Sequence, residues 1–332
     1  MDEFEIIRRY FNRDTQLSGV VVGIGDDGAV LAADCSKQQV QVIDTLIEGV
    51  HFSSATNPAD IAYRAVAVNL SDIAAMGAVP RWMTLALTLE NASEQWLQQF
   101  ASGLFAAADE HNVALVGGDT TRGSAVTVTV SITGEVSEGA ALLRSGAKVG
   151  DGIFVTGTLG DAAAGLQMLL HDKTEGFLAS RFLRPTPRVD IGRAIIGKAS
   201  AAIDLSDGLF GDLSKLLTAS GVGGELEIDS LPLSDELRSG FAVAAQHQFA
   251  LSGGDDYELC FTASANDVSD IADIRSQRQV DAYNATVTAE EDKLVCTREK
   301  PLGSNIPRFV CMTVAQQRRL ESQARDELQL IR

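Results

Sequence analysis

Cysteine and histidine are scarce, with four of each in 332 residues, and neither is spaced to hold zinc. Cys35, Cys260, Cys296 and Cys311 form no Cys-x-x-Cys pair, so reduced thiols and a cytoplasmic location are the expectation. The opening Met1-Asp2-Glu3-Phe4 has neither the basic start nor the apolar core of a secretory leader. No apolar run approaches the roughly 18 residues that a spanning helix needs, which excludes a membrane segment. Basic residues are also few: 27 against 45 acidic ones, a net charge of −18. A phosphate backbone or an anionic bilayer requires a basic face, so neither nucleic acid nor membrane is expected as a partner. A nucleotide remains possible, because metal ions bridge carboxylates to phosphates. Short repeats and low-complexity segments are absent as well.

What is present suits two domains with a sizeable core, since 45% of the residues are hydrophobic. The apolar runs Val20–Val22 and Ala29–Ala33 flank the loop Gly23-Ile-Gly-Asp-Asp-Gly28. A strand over Val40–Ile43 is predicted to deliver Asp44 at its end. Helical spacing follows over Ala59–Met76, between Pro58 and Gly77. Met83–Leu89 reads as a strand, Ser93 as the cap of a helix to about Glu110, and Val113–Val116 as a strand entering Gly117-Gly118-Asp119. Val126–Ile132 alternates as a strand should. The turn-rich Ser145–Asp151 marks a candidate boundary. Beyond it lie a strand (Ile153–Thr156), a helix (Ala162–Leu170), more helix, a strand (Ala202–Asp204), a turn and another helix, an α/β alternation. Ala315–Arg332 has the apolar stripe of a peripheral helix.

Two phosphate-binding patterns are rejected on chemistry. Gly23–Gly28 matches G-x-G-x-x-G, but two aspartates inside the loop would repel a pyrophosphate, and a strand follows where a helix is needed. Gly192–Ala199 approximates a P-loop but has Ala199 in place of the magnesium-binding hydroxyl, and it reads as helix interior after Pro187.

The informative residues are aspartates at the ends of apolar segments beside glycines. Asp26 and Asp27 lie in a glycine loop, Asp44 at a strand end, and Asp119 after a glycine pair. Asp72 sits inside an apolar helix, Asp204 and Asp207 bracket a strand-to-helix turn, and Asp255 and Asp256 follow Gly253-Gly254. Singly, each has a plain explanation: Asp207 could cap a helix, Asp119 could make an Asx turn, and Asp72 could pair with Arg64 or Arg81. Unpaired carboxylates beside buried segments cost on the order of several kcal/mol each. Together they are better explained by hard divalent cations and nucleotide phosphates, with glycines admitting backbone amides to the phosphate oxygens. The residues alone reach a magnesium–phosphate enzyme of non-P-loop type, and no further.

At these positions the chain resembles the thiamine-monophosphate kinases, a family of the superfamily that includes aminoimidazole ribonucleotide synthetase. The segments that carry the resemblance are Gly23–Asp27, Asp44–Phe52, Ala67–Ala78, Gly117–Gly123, Leu143–Asp151, Val155–Asp161, Ile203–Leu209 and Leu251–Phe261, in the family's order. The resemblance implies an α/β (α+β) two-domain synthetase-like fold. Residues 1–148 would form an N-terminal metal- and ATP-binding domain whose sheet pairs in a homodimer. Residues 149–311 would form a C-terminal α/β domain, and 312–332 a helical tail. It implies several magnesium ions on Asp27, Asp44, Asp72, Asp119, Asp204 and Asp207. ATP, the co-substrate, would be contacted by Gly118, Asp119, Arg144 and Ser206, and thiamine monophosphate by His51 and Asp255. Asp207 and Arg144 would be the catalytic pair. The nucleophile would be an already ionised phosphate oxygen, so no general base is implied.

Three departures from the family accompany the likeness. Val42 and Ile43 stand where small hydroxyl residues are usual, and Asp255 replaces a glutamate, shortening the reach by one methylene. The family's closing aromatic segment has no counterpart after Ala263; Ile306–Val310 is the nearest stretch. A sibling ATP-dependent enzyme with another acceptor, or a catalytically silent nucleotide-binding paralogue, therefore stays open at this level. Selenophosphate synthetase lacks support because no early Cys-Gly precedes a lysine. A hydrogenase-maturation relative lacks it because no cysteine closes the chain.

Overall fold

In the first half, strands that alternate apolar with polar residues can bury one face only. A computed structural model describes residues 3–13, 19–91, 93–264, 267, 294–299 and 308–313, within two compact units, 1–264 and 265–332. The first unit opens with α1 (Glu3–Ile6), a π-helical turn (Ile7–Phe11) and the hairpin β1 (Val20–Val22) and β2 (Val30–Leu31). Then come β3 (Lys37–Ile47), α2 (Pro58–Ala75), β4 (Val79–Leu89), α3 (Glu94–Glu110), β5 (Ala114–Arg122) and β6 (Thr127–Ser137). The four long strands form one sheet in the order β3-β6-β4-β5, with β6 antiparallel to both neighbours and β4 parallel to β5.

Cross-strand register assigns the two faces of this sheet. One row runs Asp44, Val130, Leu85, Gly118; the next runs Thr45, Thr129, Ala86, Asp119. The first row belongs to the face where Val128, Val130, Ile132, Leu85 and Leu87 are buried. The second belongs to an open face on which Gln41, Ile43, Thr45, Thr84 and Ala86 are exposed. Helix α2 covers the buried face, starting from Asn57, whose side chain accepts the Ala59 N–H, with Pro58 in its first turn.

The remainder of the unit comprises β7 (Gly152–Val155), α4 (Asp161–Leu169), α5 (Phe177–Leu183), α6 (Val189–Ala194), β8 (Ala199–Asp204), α7 (Leu209–Ser220), α8 (Asp235–Gly240), α9 (Val243–Ser252) and β9 (Leu259–Ala263). Here β9 is the centre of an antiparallel sheet, β7-β9-β8. Its core gathers Leu159, Ile203, Leu205, Leu209, Leu213 and Leu216. Helix α2 also packs on α6, β8 and β9, so it is buried nearly all round and joins the two sheets. The second unit contributes an antiparallel pair, β10 (Leu294–Glu299) and β11 (Arg308–Thr313). Among the described residues no helix is long and apolar enough to cross a membrane.

Most elements lie where their sequence pattern puts them, and Ser93 caps α3 by accepting the Trp96 N–H as expected. Four expectations are corrected. Asp44 lies within β3, not at its end, because polar Gln39, Gln41 and Thr45 extend the strand on its open face. Asp119 lies within β5, which continues through Gly117–Arg122, so it makes no Asx turn. Gly192–Ala199 is not helix interior: α6 stops at Ala194 and Ala199 opens β8, the reverse of a strand-then-helix P-loop. Asp207 does not cap α7; Gly208 is at that position with no side-chain cap. The expected tail helix, Ala315–Arg332, lies outside the described residues.

Helix α3 crosses α2 at Gly103, where a Cβ would come within 1.9 Å of the Ala59 carbonyl oxygen. Gly103→Ala must push two backbones apart, and about 1–3 kcal/mol of stability should be lost, read as a lower urea midpoint. A variant as stable as the parent would show that this contact is slack.

Candidate active site

Three carboxylates converge where α2 meets the two sheets: Asp44 from the buried face of β3, Asp72 from α2, and Asp204 from the end of β8. Asp44 and Asp72 hydrogen-bond to each other, which requires a proton between them. Burial, then the charges of Asp204 and Asp44, pushes the Asp72 carboxyl up to about 8, with Arg144 opposing. Burial likewise raises Asp204 to about 6, although the Ser71 hydroxyl donates to it at 2.9 Å. Burial raises Asp44 too, opposed by its bond to Asp72 and the nearby His51. Among the described residues no three such ligands are drawn together tightly enough to cage an ion.

Beside these acids the loop after β3 meets the turn before β9. His51 accepts the Ile47 N–H on Nδ1 at 3.0 Å, which leaves the ring proton on Nε2. Arg64, one side of α2, donates to the His51 carbonyl at 2.9 Å and to Asp255 Oδ1 at 2.7 Å. Its guanidinium lies over the Phe182 ring, 4.0 Å from the centroid. Asp255 holds φ +62° and Tyr257 φ +50°, conformations that L-residues rarely adopt. Backbone bonds keep them there: Asp255 N–H to the Ser206 carbonyl at 2.8 Å and Tyr257 N–H to that of Leu205 at 2.9 Å. The Tyr257 hydroxyl donates to Asp255 Oδ1 at 3.3 Å, and burial raises it far above the usual phenol range.

The turn Leu205–Gly208 presents Ser206 half-buried and Asp207 exposed. Lys215 Nζ donates to Asp207 Oδ2 at 2.5 Å and to Asp212 Oδ1 at 2.9 Å, and Asp212 also accepts the Asp207 N–H at 2.8 Å. Below it, buried Glu258 takes both Arg181 and Arg188, and buried Asp256 accepts the Gly160 and Ala162 N–H groups at the start of α4. These hold the scaffold under the turn.

Of the site residues read from sequence, Asp44, Asp72, Asp204, Arg144 and His51 share one neighbourhood, and Asp255 adjoins it through Arg64. Asp119 does not join them within one chain. It lies on the opposite edge strand and on the opposite face from Asp44, and Gly118 stands in Asp44's row but across three strand spacings. Asp27 is exposed in the loop between β1 and β2, a hairpin that packs through Val20 and Leu31 on Trp82, Ala114 and Val116. Among the described residues no hydrogen bond or ion pair joins Asp27 to the three acids. Asp72 pairs with neither arginine offered for it, since Arg64 binds Asp255 and Arg81 binds Glu135. Sequence reasoning missed Arg64, Tyr257 and Lys215 as parts of the site. Only Arg64 left a trace, a cation inside an apolar stretch of α2.

The raised Asp72 predicts a pH dependence. A carboxyl held above its ordinary value favours the fold while protonated, and that contribution fades as pH rises from about 4 to about 8. In metal-free protein, Asp72→Asn should therefore be the more stable form at pH 8, with the gap closing toward pH 4. Parallel urea midpoints across that range would show instead that Asp72 is not held protonated.

Comparison with known proteins places this geometry. Residues 25–136 match the AIR synthase related protein N-terminal domain, and residues 148–297 its C-terminal domain. The thiamine-monophosphate kinase of Salmonella typhimurium is 49% identical over 267 residues, 78% of this chain and 82% of that protein. That of Haemophilus influenzae is 45% identical over 79% of this chain and 81% of its own length. The crystal structure of the Stenotrophomonas maltophilia kinase superposes with a TM-score of 0.76 at 43% identity, over 83% of this chain and 89% of that one. AaThiL, solved complexed with AMPPCP and TMP, superposes at 0.66 with 37% identity, over 73% and 80% of the two chains. With the same domains in the same order, and an aspartate-lined site at their junction, the chain belongs to the thiamine-monophosphate kinase family.

Proposed function

We propose that this chain is a cytoplasmic, magnesium-dependent kinase that transfers the γ-phosphoryl group of ATP to the phosphate of thiamine monophosphate. The observation that carries the reading is the adjacency of two unlike subsites. Asp44 interacts with both Asp72 and His51, and His51 is tied through Arg64 to Asp255. A carboxylate cluster that retains a proton between two of its members is short of positive charge even beside Arg144, and an oxygen-only donor set fits a hard divalent cation. Asp44, Asp72 and Asp204 would hold magnesium, with Asp27, Asp119 and Asp207 added as substrates arrive. When bound, magnesium neutralises phosphate charge and templates an in-line displacement.

The protein's part is orientation. Arg144 supplies a fixed positive charge beside Asp72 and Asp204, suited to the phosphoryl group in flight. Ser206, on the turn two residues beyond Asp204, would meet a nucleotide phosphate. His51 Nε2–H and Asp255 offer one donor and one acceptor to the thiamine end. A phosphate oxygen of the acceptor forms the new bond to Pγ, the Pγ–O bond to the β-phosphate breaks, and ADP leaves. The acceptor oxygen is already ionised, so no side chain has to take a proton.

Asp119 and Gly118 enter the same centre from a second copy. The position of Asp119 on the far edge and open face of the sheet supports a homodimer in which open faces pair, as does Ile43, 66% exposed on that face. The gap between the two matched domains, residues 137–147, supports a division of the chain near residue 148.

Purified protein with ATP, magnesium and thiamine monophosphate should release ADP and form thiamine diphosphate, identified by mass, only when all three are present. ADP release with a different acceptor, or none at all, would overturn the substrate assignment. Asp44→Asn and Asp119→Asn should each be inactive alone. Mixed and re-equilibrated, they should recover about a quarter of parental activity, because half the dimers carry one intact site of two. No recovery would return both aspartates to a single chain.

A further inference from the structure

We infer that Arg64 is a positioning residue for the acceptor. It fixes Asp255 through Oδ1 alone and so presents Oδ2 to a hydrogen-bond donor on the thiamine base; the inference rests on the assignment of Asp255 to that subsite. The contrast with half-buried Arg188 is the starting point. Arg188 places both Nε and a terminal nitrogen on the two oxygens of Glu258, an arrangement that engages both carboxylate oxygens at once. Arg64, whose side chain is 5% exposed, instead spans two segments with single bonds, one to Asp255 and one to the His51 carbonyl, and its Nε has no partner among the described residues. Burying a guanidinium with a donor unmet is costly unless the remaining geometry is needed.

That geometry is specific. Both bonds to the Asp255 carboxylate, from Arg64 at 2.7 Å and from Tyr257 at 3.3 Å, fall on Oδ1. No described hydrogen bond falls on Oδ2. The backbone of Asp255 is already fixed at φ +62° by its bond to Ser206, so only the side-chain torsions remain to be set. Arg64, itself clamped on Phe182 and the His51 carbonyl, sets them. One carboxylate oxygen is then committed and the other free, aimed by groups that cannot move far. An amino group on an aminopyrimidine is the kind of donor such an oxygen takes. Because Arg64 also grips the His51 carbonyl, it fixes the spacing between the two acceptor contacts. The short aspartate and the long guanidinium are matched in reach: a longer carboxylate would need a shorter cation.

The test is a length-exchange cycle. Arg64→Lys should raise KM for thiamine monophosphate about tenfold while KM for ATP and kcat change less than about twofold. Adding Asp255→Glu should restore KM for the acceptor to within about threefold of the parent, whereas Asp255→Glu alone should not be neutral. Tyr257→Phe keeps the cation and the fold and should raise the same KM by about twofold to fivefold. Equal losses for both substrates, or no recovery in the double variant, would make Arg64 a purely structural ion-pair partner. Parent protein that neither binds nor turns over thiamine monophosphate overturns the functional reading and this inference with it. Parent protein that does so, with an unchanged acceptor KM in Arg64→Lys and Tyr257→Phe, overturns this inference alone.

Discussion

Every charge carried into the interior by α2 has to find an opposite charge or keep a proton. The helix is packed by sheet on one side and by α3, α6 and the β8–β9 pair on the others, yet it carries Arg64 and Asp72. Eight residues separate them, roughly 12 Å along the axis. Arg64 finds Asp255, and Asp72, next to two further carboxylates, keeps a proton. A buried helix thus spaces a cationic anchor from an anionic cluster by a rigid length. The apolar packing that makes α2 rigid is what makes the spacing dependable.

The four-stranded sheet imposes a second constraint. Pleating sends Asp44 toward α2 and Asp119 away from it, and the strand order puts them on opposite edges. No rotamer change can bring the two together in one chain. At Gly118 the β5 backbone approaches β4 so closely that a Cβ would sit 1.8 Å from the Leu85 carbonyl oxygen. Gly118 therefore serves strand packing as well as any phosphate, and the glycine pair in sequence could not by itself separate the two uses.

Much of the architecture was legible because local rules agree. The cap at Ser93, the Pro58 start of α2 and the apolar period of both long helices all point one way. Strand ends were misplaced where an open face made half the residues polar, as at Gln39, Gln41 and Thr45 of β3. The aspartates could be picked out because their neighbours are apolar or glycine, but their partners could not. Arg64 and Asp255 are 191 residues apart, and nothing local in either segment names the other. The face to which Asp119 belongs depends on sheet order, a property of the whole chain.

The bonds from Asp255 to the Ser206 carbonyl and from Tyr257 to the Leu205 carbonyl weld two turns into one mechanical body. One of those turns carries Ser206 and Asp207, the other Asp255 and Tyr257. A displacement of either is transmitted to its neighbour across backbone, with no side chain to absorb it. The two turns consequently cannot open on separate hinges: whatever motion carries Ser206 and Asp207 carries Asp255 and Tyr257 with it.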